Sequence, residues 1–172
     1  IDVPDRTAIV EQSGELIERL FTLPEQDQRL LRQHLVAPLR LVAANDELVG
    51  IVMRRIPDTF LFDLKLSAGK TKRSLFELQH LMVPESKKPE YGIPGATAKD
   101  RLYLFLDLLR IVECLHRGGI VLGDINPGNV ALRVLTPVGA ATRRRFEPLL
   151  LGVDGFRAQG QVPRSPQMHT PN

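Results

Sequence analysis

The stretch Leu115-His116-Arg117-Gly118-Gly119-Ile120-Val121-Leu122-Gly123-Asp124-Ile125-Asn126-Pro127-Gly128-Asn129-Val130-Ala131-Leu132 constrains this chain more than any other. The two adjacent glycines end a helix where a left-handed residue is needed. A short apolar strand from Ile120 to Leu122 follows, and a second begins at Val130. Between them Asn126-Pro127-Gly128 sets a tight turn, with Pro fixing φ and Gly accepting a positive φ. A loop so built holds Asp124 and Asn129 rigidly and puts a carboxylate and an amide oxygen on one rim.

The helix that feeds this loop is the strongest in the chain. It opens at Ala98-Lys99-Asp100, and Leu102, Leu104, Phe105, Leu108, Leu109, Ile111, Val112 and Leu115 give it a wide apolar stripe up to Gly118. A helix this apolar is expected to be largely buried. After Asn129, Val130 to Leu135 and Pro148 to Val153 read as two strands of a hairpin, with Arg143-Arg144-Arg145 in its long tip.

Upstream, the periodicity predicts a helix from about Ala8 to Thr22, closed by Leu23-Pro24, and a polar helix-favouring stretch from Glu25 to Leu35. Leu39 to Ala43 and Leu48 to Met53 read as strands around Ala44-Asn45-Asp46-Glu47, a hairpin signal. Phe60 to Leu66 is apolar with a partner face, Ser74 to Met82 reads as helical, and Pro84 to Ala98, with three prolines, reads as an exposed loop.

At 172 residues with 43% hydrophobic content, the chain suffices for one ordinary core. Its single cysteine, Cys114, lies in the apolar helix and reads as a buried thiol in a reducing cytoplasm. No apolar run reaches the roughly 18 residues that span a bilayer. The net charge of +3 rests partly on the arginine run. No aromatic or Gly-rich recognition pattern accompanies those charges, so nucleic acid is not an expected partner.

The segment Gly123-Asp124-Ile125-Asn126-Pro127-Gly128-Asn129 resembles the catalytic loop of protein kinases, H-R-D-x-x-x-x-N. Asp124 and Asn129 match in type and spacing. Leu122 and Gly123 stand where the motif has His and Arg, and Asn126 stands where a Lys is expected. The wording is closer to divergent bacterial Ser/Thr kinase-like proteins, some of them joined to helix-hairpin-helix modules. Val153-Asp154-Gly155-Phe156 supplies the second acid, at the end of an apolar strand, where kinases carry Asp-Phe-Gly. The exchanged order of Gly and Phe puts that motif's usual switch behaviour in doubt.

The resemblance implies an α+β, protein kinase-like fold that is incomplete. Residues 1–57 would form part of the small lobe and the hinge, and residues 58–172 the first part of the large lobe. It further implies magnesium-dependent transfer of the ATP γ-phosphoryl group to a protein Ser or Thr hydroxyl. Asp124 would be the catalytic base, while Asn129 and Asp154 would hold Mg2+. Met53 would back the adenine pocket, with Arg54 to Ile56 hydrogen-bonding the base, and residues 159–172 would be an activation segment. Met53 read without the loop is simply the last residue of an edge strand.

Glu15 or Glu18 would be the helix partner of a strand lysine; as plain residues, both are surface helix charges. The first lysine is Lys65, and nothing before it matches G-x-G-x-x-G. On this resemblance, the glycine loop, the lysine and the closing helices are expected from sequence outside the segment, which starts at Ile1. With Gly123 in place of Arg, activity is not expected to be switched by phosphorylation of the activation segment. Two other readings stay open: a pseudokinase or scaffold that senses nucleotide or contacts protein, and a small-molecule phosphotransferase of related fold.

Overall fold

The structure is a computed structural model that describes residues 6–45, 47–66, 69–135, 145–151 and 156–158; the side chains of 6–11, 157 and 158 are not among those described. The described residues form a mixed α+β arrangement of four helices and four two-stranded antiparallel sheets.

Helices α1 (Arg6–Thr22) and α2 (Glu25–His34) meet at Leu23-Pro24. Pro24 begins α2 without a side-chain cap, and its carbonyl accepts from the amides of Asp27 and Gln28. Strands β1 (Pro38–Ala44) and β2 (Glu47–Met53) pair antiparallel, with Leu41 opposite Ile51. Asn45 takes a left-handed φ of 51° at the turn. The hairpin leans on α1 at Gly14, where a Cβ would sit 3.3 Å from the Leu41 side chain.

After the Arg54–Pro57 linker and a 3-10 turn at Asp58–Phe60, β3 (Leu61–Lys65) pairs with β4 (Thr71–Leu75). The helix expected from Ser74 to Met82 is instead the end of β4 followed by a 3-10 helix at Leu78–Met82. Cross-strand bonding explains the change. Leu75 faces Leu61, Phe76 donates to the Phe60 carbonyl, and Glu77 bridges to Ala131, so the backbone is extended through Glu77. Glu77 and the His80 side chain then close a capping box.

The stretch expected to be an exposed loop carries α3 (Lys88–Tyr91) and two buried residues, Lys88 and Ile93. The Lys88 stem is buried while its ammonium reaches Glu85, which also takes a bond from Arg101 at 2.7 Å. A long cationic side chain thus serves as a core residue because its charge is paired.

Helix α4 (Ala98–Arg117) starts from a capping box in which Thr97 and Asp100 each satisfy the other's backbone N–H. It packs on α2, β5 (Ile120–Leu122) and β7 (Phe146–Leu150) through Leu104, Ile111, Cys114 and Leu115. The expectation that α4 is largely buried holds for that face alone. Leu102, Phe105, Leu106 and Leu109 are between 42% and 57% exposed, because the apolar stripe is wider than the surface its neighbours cover. The Cys114 thiol is pushed up to about 11, first by burial and then by the charge of Asp27, so it is protonated and inert at neutral pH. Asp27, itself buried, ties α2 to α4 through Arg117 at 3.2 Å.

Strand β6 (Val130–Val134) pairs with β7, Val130 opposite Leu150, and β5 pairs with β8 (Phe156–Ala158), Leu122 opposite Phe156. The expected hairpin is present, with its second strand at Phe146–Leu150 rather than Pro148 to Val153. Its edges are occupied: Val36 donates to the Leu150 carbonyl and Leu132 donates to the Phe76 carbonyl. One core cluster runs through Leu16, Leu31, Leu115, Leu132 and Phe156, joining residues on both sides of position 57.

Candidate functional site

The loop at Asp124 is positioned by a helix stop and two sheets. At the helix end Gly118 continues with φ −79° and Gly119 turns left-handed at φ 66°. Gly118 matters for a different reason: a Cβ there would lie 2.7 Å from a Leu23 side-chain methyl, so that side chain at the α1–α2 corner would have to shift to admit any larger residue. Strand β5 then carries the chain to Leu122, and β6 takes it away from Val130.

Between them the chain makes a 3-10 turn at Pro127–Asn129. Asn126 caps it, its Oδ1 accepting from the amides of Gly128 at 2.9 Å and Asn129 at 3.1 Å. Pro127 sits at the first position, where a missing N–H costs nothing. The expectation that Gly128 takes a positive φ is not met, since Gly119, Gly69 and Gly92 are the described glycines that do. Gly128 is crowded instead: a Cβ would press to 3.2 Å of the Asn126 Oδ1 that makes the cap, which would have to give by a few tenths of an ångström.

The turn brings Asp124 and Asn129 together. Asn129 Nδ2 donates to the Asp124 carbonyl at 3.2 Å and to its Oδ2 at 3.1 Å. Asn126 Nδ2 donates to both carboxylate oxygens at 3.0 Å. Two amides therefore hold an exposed carboxylate in one orientation without neutralising it. Asn129 spends its donors on Asp124, and its Oδ1 receives no hydrogen bond among the described residues. A fixed carboxylate beside an amide oxygen with free lone pairs suits a hard cation such as Mg2+, which takes oxygen ligands and keeps several waters. Among the described residues no group of three His, Cys, Asp or Glu side chains is gathered that would hold a metal unaided.

Asp154 lies outside the described residues. Phe156, two positions on, is buried opposite Leu122 at the end of β5 from which the Asp124 loop departs, and its carbonyl accepts from Gln12 of α1. The segment from residue 159 to 172 is likewise outside the described residues. Met53 ends β2 opposite Pro38 and is 42% exposed. Arg54 is exposed, and its guanidinium donates to the Arg32 carbonyl. Ile56 packs on the small core of Val36, Phe60, Ala131 and Leu149, so the linker rests on the hairpin that begins at Val130. Glu15 pairs with Arg19 at 3.1 Å, while Glu18 is exposed.

Asn126 is the residue that sequence reasoning undervalued. Its signal was present, because Asn immediately before Pro is a helix-cap pattern. Gln79, whose amide nitrogen comes within 4.0 Å of a Cβ built on Gly128, had no such signal. No protein-family model, no curated protein and no solved structure matches the chain. No helix of the described residues is long and apolar enough to cross a membrane.

Proposed function

We propose that the Asp124 loop is a phosphoryl-transfer site of protein kinase-like type, taking ATP and a Ser or Thr hydroxyl of a protein. The observation that carries this reading is the clamp itself: Asn129 turns its amide nitrogen onto Asp124, and among the described residues its oxygen receives no hydrogen bond. The packing of Ile56 on the cluster of Val36, Phe60, Ala131 and Leu149 adds support, since that cluster includes a β6 residue, and a base held by backbone groups of Arg54 to Ile56 would lie on the same side as the loop's second strand.

In this mechanism the acceptor hydroxyl gives its proton to the Asp124 carboxylate as its oxygen bonds to the γ-phosphorus. The bond from that phosphorus to the β-γ bridging oxygen breaks, and ADP leaves with the electron pair. The two amide donors hold Asp124 in line, the positioning part of such catalysis. Asn129 and Asp154 would be the protein ligands of magnesium, which would supply charge compensation to the phosphates.

A second reading, nucleotide binding without turnover, is favoured by one feature. Neither β1 nor β2 contains a lysine, and the first in the chain is Lys65. Labelled phosphate from γ-32P-ATP, followed onto a dephosphorylated protein substrate, separates the two. Transfer that drops at least 100-fold in Asp124→Asn with unchanged melting supports the kinase reading, and transfer unaffected by that substitution would falsify it. Binding of Mg·ATP with no transfer selects the second.

A further inference from the structure

The structure forms an open groove of about 340 Å³ between α1, α2 and β1, on residues separate from the Asp124 loop. Leu20 and Leu31, Leu35 and Leu39 are among its apolar walls, and two arginines, Arg32 and Arg54, also line it. The volume is in the range of small-molecule sites, about 300–1,000 Å³, and so is the make-up, mostly apolar with a few polar groups to fix orientation.

The arginines set the chemistry. Arg32 Nη2 donates to the neutral Gln28 Oε1 at 2.8 Å, and Arg54 donates to the Arg32 backbone carbonyl. Nearby arginines make carboxylate pairs: Arg19 with Glu15, Arg29 with Glu25 and Arg55 with Asp58. Arg32 and Arg54 have no carboxylate partner among the described residues. Two guanidinium groups beside an apolar trough match a ligand with an apolar body and an anionic head, and guanidinium binds carboxylate through paired N–H bonds.

We propose that this groove is a binding site for a small apolar monocarboxylate, its chain against Leu20, Leu31, Leu35 and Leu39 and its carboxylate between Arg32 and Arg54. Because Arg54 also belongs to the linker after β2, an occupied groove would hold that linker in place whatever the Asp124 loop does.

Decanoate is the probe, titrated below its micelle-forming concentration into the full chain with leucine methyl groups observed by NMR. Shifts confined to the methyls of Leu20, Leu31, Leu35 and Leu39, with the exposed Leu102 unmoved, are expected. Binding at least tenfold weaker for decanol, and tenfold weaker again for decanoate with R32Q/R54Q, completes the expected result. Leu39→Asp, at a half-exposed position that tolerates change, is expected to abolish the shifts while melting stays near that of the unaltered chain. Equal binding of decanol and decanoate, retention in R32Q/R54Q, shifts of the same size at Leu102, or no shifts at all would each overturn the proposal. None of these outcomes depends on phosphoryl transfer.

Discussion

In the β6–β7 hairpin Val130, Ala131, Leu132, Phe146, Leu149 and Leu150 are all buried, whereas in the β1–β2 hairpin Leu39, Val42, Leu48, Val52 and Met53 are between 40% and 49% exposed. The two pairs of strands are similarly apolar in sequence, so composition does not decide the difference. Neighbours do. Residues just past α2 and just past β4 hydrogen-bond to the edges of β6–β7, and α4 packs on β7. The β1–β2 hairpin has α1 on one face and no further strand at either edge among the described residues. An apolar strand is buried only as far as something covers its face and its edges.

The comparison is sharpest where the covering is complete. Leu132→Ala, 1% exposed between β7 and the Phe76 carbonyl, is expected to cost about 2–5 kcal/mol in urea denaturation, the range for a buried leucine that leaves a cavity. A loss below about 1 kcal/mol would mean that the hairpin is not the packed centre described here. Asn126→Ala comes next, since it removes the cap of the turn and one of the two clamps on Asp124. It is expected to cost about 1 kcal/mol and to speed hydrogen exchange at the Gly128 and Asn129 amides first. Leu48→Ala on the uncovered hairpin is expected to stay within about 0.5 kcal/mol. A cost near that of Leu132→Ala would show that β1–β2 is covered in solution.

The same contrast explains what was legible in the sequence. Helices α1, α2 and α4, the two hairpins and the Asp124 to Asn129 pairing follow from periodicity, turn residues and spacing, all local signals. Three features were not local. The bonding of Phe76 and Leu75 to Phe60 and Leu61 overrode a helix-like run at Ser74 to Met82. The packing of α3 on β3 helped bury Lys88 in what read as an exposed loop. The half-exposed stripe of α4 depended on how much surface its neighbours offer. At the site, the positive φ assigned to Gly128 was a local inference and still failed: the Asn126 cap shapes the turn, and Gly128 is not among the described glycines with positive φ.

Glu85 extends the argument to pH. Its hydrogen bond from buried Lys88, the largest influence, holds its carboxyl below the ordinary value of 4.5 together with the bond from Arg101, against desolvation, which acts the other way. A lowered folded-state value gives stability that is present above the unfolded value and lost as pH falls through the folded one. The melting temperature is therefore expected to fall on acidification below about 4.5, and Glu85→Gln to flatten part of that fall. An identical pH profile in the variant would remove Glu85 from the account.

The central claim is that Asp124 and Asn129 form one metal-and-acceptor site. Substoichiometric Mn2+ with ATP, added to the chain while backbone amide signals are followed, tests it directly, because a bound paramagnetic ion broadens only nearby nuclei. Selective broadening of the Asp124, Ile125, Asn126, Gly128 and Asn129 amides is expected, with Gly50 of β2 unaffected, and its loss in Asn129→Ala. Broadening that bypasses the loop, or that persists unchanged in Asn129→Ala, would contradict it.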